Sequence, residues 1–190
     1  MVNRTPLRYP GGKSMMTPLF IDILNVNKLH DVTYAEPYAG GAGAAINLLL
    51  GNYVSRILIN DASPAIYSFW KYVKEDNQRF VDAILNCDVD LTNWKRMHDI
   101  LKSGDKPSFD LGFATFFLSR TNRSGILNAG PIGGATEESQ YKAHYKINCR
   151  FNKSELAKRV EAIGKHSKQI VVTNKDAIKF LKDLKGKNMF

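Results

Sequence analysis

Apolar positions along the chain follow two rhythms, separated by a stretch that keeps neither. Val32, Thr33, Tyr34 and Ala35 make a short β-prone run that ends in Glu36-Pro37. Tyr38-Ala39-Gly40-Gly41-Ala42-Gly43 follows, and then an apolar run over 44–50 closed by Gly51. That order predicts strand, glycine turn and helix. A second strand over 56–59 ends at Asn60-Asp61, and Ser63-Pro64 opens a helix whose Ile66, Phe69, Trp70 and Val73 recur at helical spacing. Upstream, Thr17-Pro18 reads as an N-cap with proline at the first helical position, leading a helix through Leu24.

From about residue 75 to 150 this alternation stops. Phe80 and Ile84, then Trp94, Met97 and Leu101, predict two helices; 104–107 is a loop, and the apolar run 111–118 is expected to be buried. Residues 121–150 are rich in Gly, Asn and Ser and show no period. At 154 the rhythm resumes. Leu156, Val160 and Ile163 mark a helix ending at Gly164, and 169–173 is a strand. Asp176 caps a helix carrying Phe180, Leu181 and Leu184; 185–187 is a turn, and 188–190 begins another strand. Two βα units, an irregular insertion and a third βα unit predict a doubly wound α/β sheet with an inserted subdomain. The expected divisions are 1–74, 75–153 and 154–190.

Composition adds limits. At 190 residues the chain is one domain, or one with an insertion, and 44% apolar residues can build a core. No run approaches the ~18 apolar residues of a membrane span, and the first residues lack a signal-peptide stretch, so a cytoplasmic protein is expected. The formal charge of +9 suits a polyanionic partner, and equally a merely basic surface. Cys87, Cys149 and the four histidines stand at no metal-binding spacing, so neither a metal nor a disulfide is expected.

Three segments carry candidate chemistry. In the first, Glu36-Pro37-Tyr38-Ala39-Gly40-Gly41-Ala42-Gly43, glycines between strand and helix let backbone approach a ligand; an ordinary tight turn would look the same. Asp61 ends the next strand, near the ~20-residue offset at which an acid holds a ribose diol. Together they describe a site for an adenosine-containing cofactor, without separating NAD from S-adenosylmethionine (SAM). The second segment is Leu7-Arg8-Tyr9-Pro10-Gly11-Gly12-Lys13-Ser14. Leu7 occupies the place where a phosphate loop needs its first glycine, which disfavours ATP hydrolysis. A loop closing over a cofactor and a basic arm both remain open. The third segment runs through Arg120-Thr121-Asn122-Arg123-Ser124-Gly125 to Arg150-Phe151-Asn152-Lys153. Arginine and asparagine can read base edges and lysine can hold phosphate, although composition alone favours a solvated loop.

In this order the segments resemble the Dam-type (D12 class) DNA adenine-N6 methyltransferases. The resemblance implies a Rossmann-like, SAM-dependent methyltransferase sheet, incomplete here, with an inserted, mainly helical DNA-recognition subdomain. It implies that Tyr9 and Lys13 contact SAM, that Glu36, Tyr38, Gly40 and Gly43 wrap its methionine part, and that Asp61 holds its ribose. Asp176 would cap a helix or contact the cofactor's adenine. Arg120, Asn122, Arg123, Ser124, Arg150 and Lys153 would meet double-stranded DNA. The implied reaction is methyl transfer from SAM to adenine N6, in a restriction–modification, phage or mobile-element setting.

One departure from the family outweighs the rest. The sequence contains no Asp-Pro-Pro-Tyr, nor its Asn, Ser or Phe variants, and Phe190 stands where the preceding strand should begin. No catalytic residue is therefore assigned. The expectation is a fragment inactive by itself, with two alternatives: a catalytically dead SAM- or DNA-binding module, or one half of a split enzyme completed by a second polypeptide. An incomplete sheet would also leave the strand at 32–35 with an unpaired apolar edge, prone to instability or self-association.

Overall fold

Three short strands form a parallel sheet in the order β1 (Thr33–Glu36), β2 (Arg56–Asn60) and β3 (Ile170–Thr173). The structure is a computed structural model that describes residues 4–184 and 188–190. Tyr34 lies opposite Ile57, and Ile57 opposite Ile170. Ile57 and Ile59, on one face of the central strand, are sealed in the core, while Leu58 on the other face is half-buried. β3 pairs with β2 although more than a hundred residues separate them.

The helices are α1 (Thr17–Val26), α2 (Gly43–Leu50), α3 (Pro64–Glu75), α4 (Asn77–Asn86), α5 (Leu91–Ser103), α6 (Phe109–Thr121), α7 (Glu137–Lys142), α8 (Lys153–Gly164) and α9 (Ala177–Asp183). Their starts follow side-chain chemistry. Ser63, Asp90, Ser108, Asn152 and Asp176 each accept a backbone N–H of the first turn that follows. Thr17 differs from its expected role. It lies inside α1 and donates its hydroxyl to Ser14 O at 2.7 Å, because a 3-10 turn at Lys13–Met16 leads directly into the helix. α7 was not legible as a period. It is too short for one, and a reciprocal Thr136–Ser139 capping box holds it.

α6 is the central helix, buried on almost every side. Its Phe116 stacks 6.1 Å from Phe69 of α3 and meets Phe80 of α4 edge-on at 5.7 Å, while Phe151 closes from 5.5 Å. This aromatic cluster crosses the expected division at 74/75, and the core continues across 153/154 through Leu156, Val160 and Ile163. The helices of 75–121 thus share one core with the sheet.

The outer edge of β1 corrects an expectation. Residues 188–190 lie parallel alongside it. The amides of Thr33 and Ala35 donate to Asn188 O (2.9 Å) and Phe190 O (2.8 Å), and Phe190 N–H donates to Thr33 O at 2.9 Å. Phe190 also packs its ring 5.6 Å from Phe20 and 5.8 Å from Tyr34. The β1 edge is thus paired and covered, which removes the expected reason for instability there. The turn expected at 185–187 lies outside the described residues. Among the described residues no helix is long and apolar enough to cross a membrane.

Candidate cofactor crevice and basic loops

All three strands end at the same side of the sheet, and one buried side chain ties those ends together. Asn60, fully buried, donates its Nδ2 hydrogens to Pro37 O and Lys175 O, each at 3.0 Å. Its Oδ1 accepts from Lys175 N–H (2.9 Å) and from the Thr173 hydroxyl (2.7 Å). The loops after β1 and β3 are therefore fixed relative to the end of β2. This is the crevice beyond the strand termini where α/β sheets bind ligands.

The glycine loop between β1 and α2 is held to its neighbours at three further points. Ala39 N–H donates to Asn60 O (2.8 Å), the Trp70 indole donates to Gly40 O (2.9 Å), and Gly40 N–H donates to Asp61 Oδ2 (2.9 Å). Asp61 Oδ1 accepts the Ser63 amide at 3.0 Å. Two backbone donors thus aim the carboxylate, and each oxygen keeps further accepting capacity. Gly40 has φ +47°, and a Cβ there would come within 2.8 Å of the Tyr9 ring. At the start of α2, a Cβ on Gly43 would overlap the Ser14 hydroxyl, so the 3-10 turn can lie directly on the helix.

The amino-terminal segment forms the other wall. Tyr9 lies over Gly40 and remains 40% exposed; partial burial first, and the nearby Asp61 second, push its phenol pKa up. Lys13 Nζ donates to Tyr38 O at 2.6 Å and sits 2.8 Å from Glu36 Oε1. Glu36 is only 2% exposed, and burial raises its carboxyl pKa against the opposing pull of Lys13 and, less, the Ala45 amide. Neither of those neighbours closes a well-directed hydrogen bond, and both carboxylate oxygens are left without one. Tyr9, Gly11, Gly12, Lys13, Tyr38, Ala39, Gly40, Gly41 and Asp61 together line a crevice of about 270 Å³. A cleft of about 370 Å³ lined by Arg4, Lys158, Lys165 and His166, among others, shares no residue with it. The smaller crevice is the one that gathers an oriented carboxylate, a lysine and close-approach backbone.

Of the expected cofactor residues, Tyr9, Lys13, Tyr38, Gly40 and Asp61 meet at this crevice, and Glu36 is paired with Lys13 in its wall; Gly43 packs against Ser14 beside a neighbouring cavity. Asp176 stands apart from the lining: its Oδ1 accepts the Ile178 and Lys179 amides, both at 3.1 Å, as the cap of α9. Asn60 and Trp70 were not singled out for the site. Nothing in local sequence marks a buried asparagine as a hub, and Trp70 reads simply as a core position.

The expected DNA residues divide. Asn122 is fully buried; it gives both amide hydrogens to Ile126 O (3.0 Å) and Leu127 O (2.8 Å), and its Oδ1 accepts the Trp94 indole at 2.7 Å. It shapes the loop and has nothing left for a base edge. Arg120 is partly engaged: its Nε (2.6 Å) and Nη2 donate to Pro6 O, pinning the amino-terminal segment to α6. Lys153 donates to Leu85 O at 3.2 Å. Arg123, Ser124 and Arg150 are exposed, with Ser124 in the left-handed region at φ +54°.

Comparison with curated proteins finds no match. The model of the D12 class N6 adenine-specific DNA methyltransferases matches residues 9–190, so the chain belongs to that family.

Proposed function

We propose that the crevice at the strand ends binds SAM, and that the chain takes part in methyl transfer from SAM to adenine N6 in duplex DNA. The observation that carries this reading is the Asp61 carboxylate. It is held by the Gly40 and Ser63 amides and faces a crevice walled by Tyr9, Lys13 and the glycine loop. A carboxylate so placed can accept both hydroxyls of a ribose. The Tyr9 ring gives a flat apolar surface, and Lys13 a positive charge for an acidic group. Glu36 holds Lys13 in place through an ion pair at Oε1, and its carboxylate leaves further accepting capacity for an ammonium or amide donor. When bound, SAM would supply an electrophilic sulfonium methyl. Arg123, Ser124 and Arg150, exposed on loops of a chain with charge +9, are the proposed DNA contacts.

An exocyclic adenine amine is a poor nucleophile, because its lone pair is delocalised into the ring. Transfer requires the base to be flipped out, its amine positioned, and its proton accepted. Residues 1–190 contain no Asp-Pro-Pro-Tyr, so the proposal gives them cofactor and DNA binding and assigns the proton-accepting step to none of them.

Calorimetric titration with SAM, comparing wild type with Asp61→Ala, tests the site. Wild type should bind, and the variant at least about tenfold more weakly, as expected for lost hydrogen bonds to a charged acceptor. Equal affinity, or no binding by either, would remove the proposal.

A further inference from the structure

Three guanidinium groups converge beside the cofactor crevice without a matching set of carboxylates. Arg8, Arg120 and Arg159 line a small cavity of about 140 Å³ whose other walls include Thr5, Ser14 and Gly43. The cavity shares Tyr9, Gly12 and Gly41 with the proposed SAM crevice, so the two are neighbours. Arg120 is closed in, and burial first, then Arg159 and Arg8, lower its pKa to about 10.

Clamping of the amino-terminal segment accounts for part of this cluster. Arg120 donates to Pro6 O, and Arg159 donates to Thr5 O at 3.2 Å. Neutral carbonyls satisfy donors but do not cancel charge. The ion pair given to the trio among the described residues is Arg159 with Glu155 (2.9 Å), whose side chain is 53% exposed. Arg8 Nη1 is buried with no hydrogen-bond partner among the described residues, and no clamping role explains it. Gathering like charges around an unpartnered donor is unfavourable unless an anion enters.

We propose that Arg8, Arg120 and Arg159 form an oxyanion pocket that takes one carboxylate or phosphate group. The cavity has room for such a group but not for a nucleotide, and arginine forks match the planar or tetrahedral oxygens of both. Two sources supply this chemistry next to the crevice: the carboxylate of a bound amino-acid cofactor such as SAM, or a phosphate of the DNA backbone. Only the first source rests on the SAM reading.

The test uses the whole chain as wild type, Arg8→Gln and Arg8→Ala. Arg8 makes no side-chain clamp in the structure, so its replacement leaves those of Arg120 and Arg159 in place. Thermal unfolding is followed with inorganic phosphate against chloride at matched ionic strength. Phosphate should stabilise wild type more than chloride does, and should lose that advantage in whichever variants fold. Equal protection by both salts, or undiminished phosphate protection in the variants, would overturn the proposal. A second set of titrations identifies the source. If the pocket holds the cofactor's carboxylate, Arg8→Gln weakens SAM about tenfold and leaves 5′-methylthioadenosine, which lacks the carboxylate, unchanged. If it holds DNA phosphate, SAM is unaffected, duplex DNA binds more weakly, and the salt slope falls by about one. Failure of wild type to bind SAM at all would remove the proposed function, while the phosphate result would still decide the pocket.

Discussion

Asn60→Asp offers the sharpest test of how the crevice is built. The substitution keeps size and shape, and it keeps the acceptor for the Lys175 amide and the Thr173 hydroxyl. It replaces the donating Nδ2 by an oxygen, so Pro37 O and Lys175 O, each 3.0 Å away, lose their hydrogen and face an acceptor. Leaving a buried polar group unsatisfied costs about 1–3 kcal/mol, so the pair together costs about 4 kcal/mol. Taking up a proton would restore a donor to only one of the two carbonyls, and above the ordinary carboxylate range that uptake itself costs stability, so the loss is measured at neutral pH. In a domain whose whole stability is about 5–15 kcal/mol, that is a large fraction. For a chain of this size each kcal/mol moves the midpoint by about 2–4 °C, so Tm should fall by about 8–16 °C. Thermal unfolding followed by far-UV circular dichroism, without ligand, measures it. A midpoint within about 3 °C of wild type would show that the strand ends are not held by this side chain.

Gly40→Ala places a Cβ 2.8 Å from the Tyr9 ring at φ +47°, so it should cost about 1–2 kcal/mol and weaken SAM by displacing the ring; unchanged affinity in calorimetry would separate Tyr9 from the cofactor. Glu36 has its folded pKa raised by burial, so the folded state holds the proton more firmly than the unfolded chain. The associated stability is complete below the ordinary glutamate value and is lost as pH rises through the folded one. Relative to Glu36→Gln, wild type should therefore weaken in urea unfolding as pH climbs above about 4, and parallel profiles would refute this. Arg120→Ala should lower Tm through loss of the Pro6 clamp. Arg123→Ala should leave Tm nearly unchanged, weaken duplex binding in a salt-titrated shift assay and reduce the salt slope by about one. Reversed results for the two arginines would restore Arg120 to the DNA surface.

Much of this protein is set by local sequence. Periodicity marks β1, β2, β3 and seven of the nine helices among the described residues, because a strand or amphipathic helix must place apolar groups on the face it buries; α6, buried on almost every side, shows only as an apolar run. The caps at Ser63 and Asp176 follow from oxygen side chains next to free amides. The glycines and the acid that meet at the crevice were legible for the same reason: at strand ends they are constrained by what their own backbone must do.

Tertiary structure decided which polar residues are free. Arg120, Asn122 and Arg123 look alike as a basic, polar run, yet the first clamps a carbonyl, the second is consumed inside a loop, and the third is exposed. Their partners, Pro6 for one and Trp94 for another, are 114 and 28 residues away in sequence, so no local pattern encodes them. The same holds for the edge of β1, paired by residues 188–190, and for the apolar core shared across the expected divisions. Residue type and spacing determined where ligands could be met; long-range packing, which buries some donors and leaves others in water, decided which side chains remain to meet them.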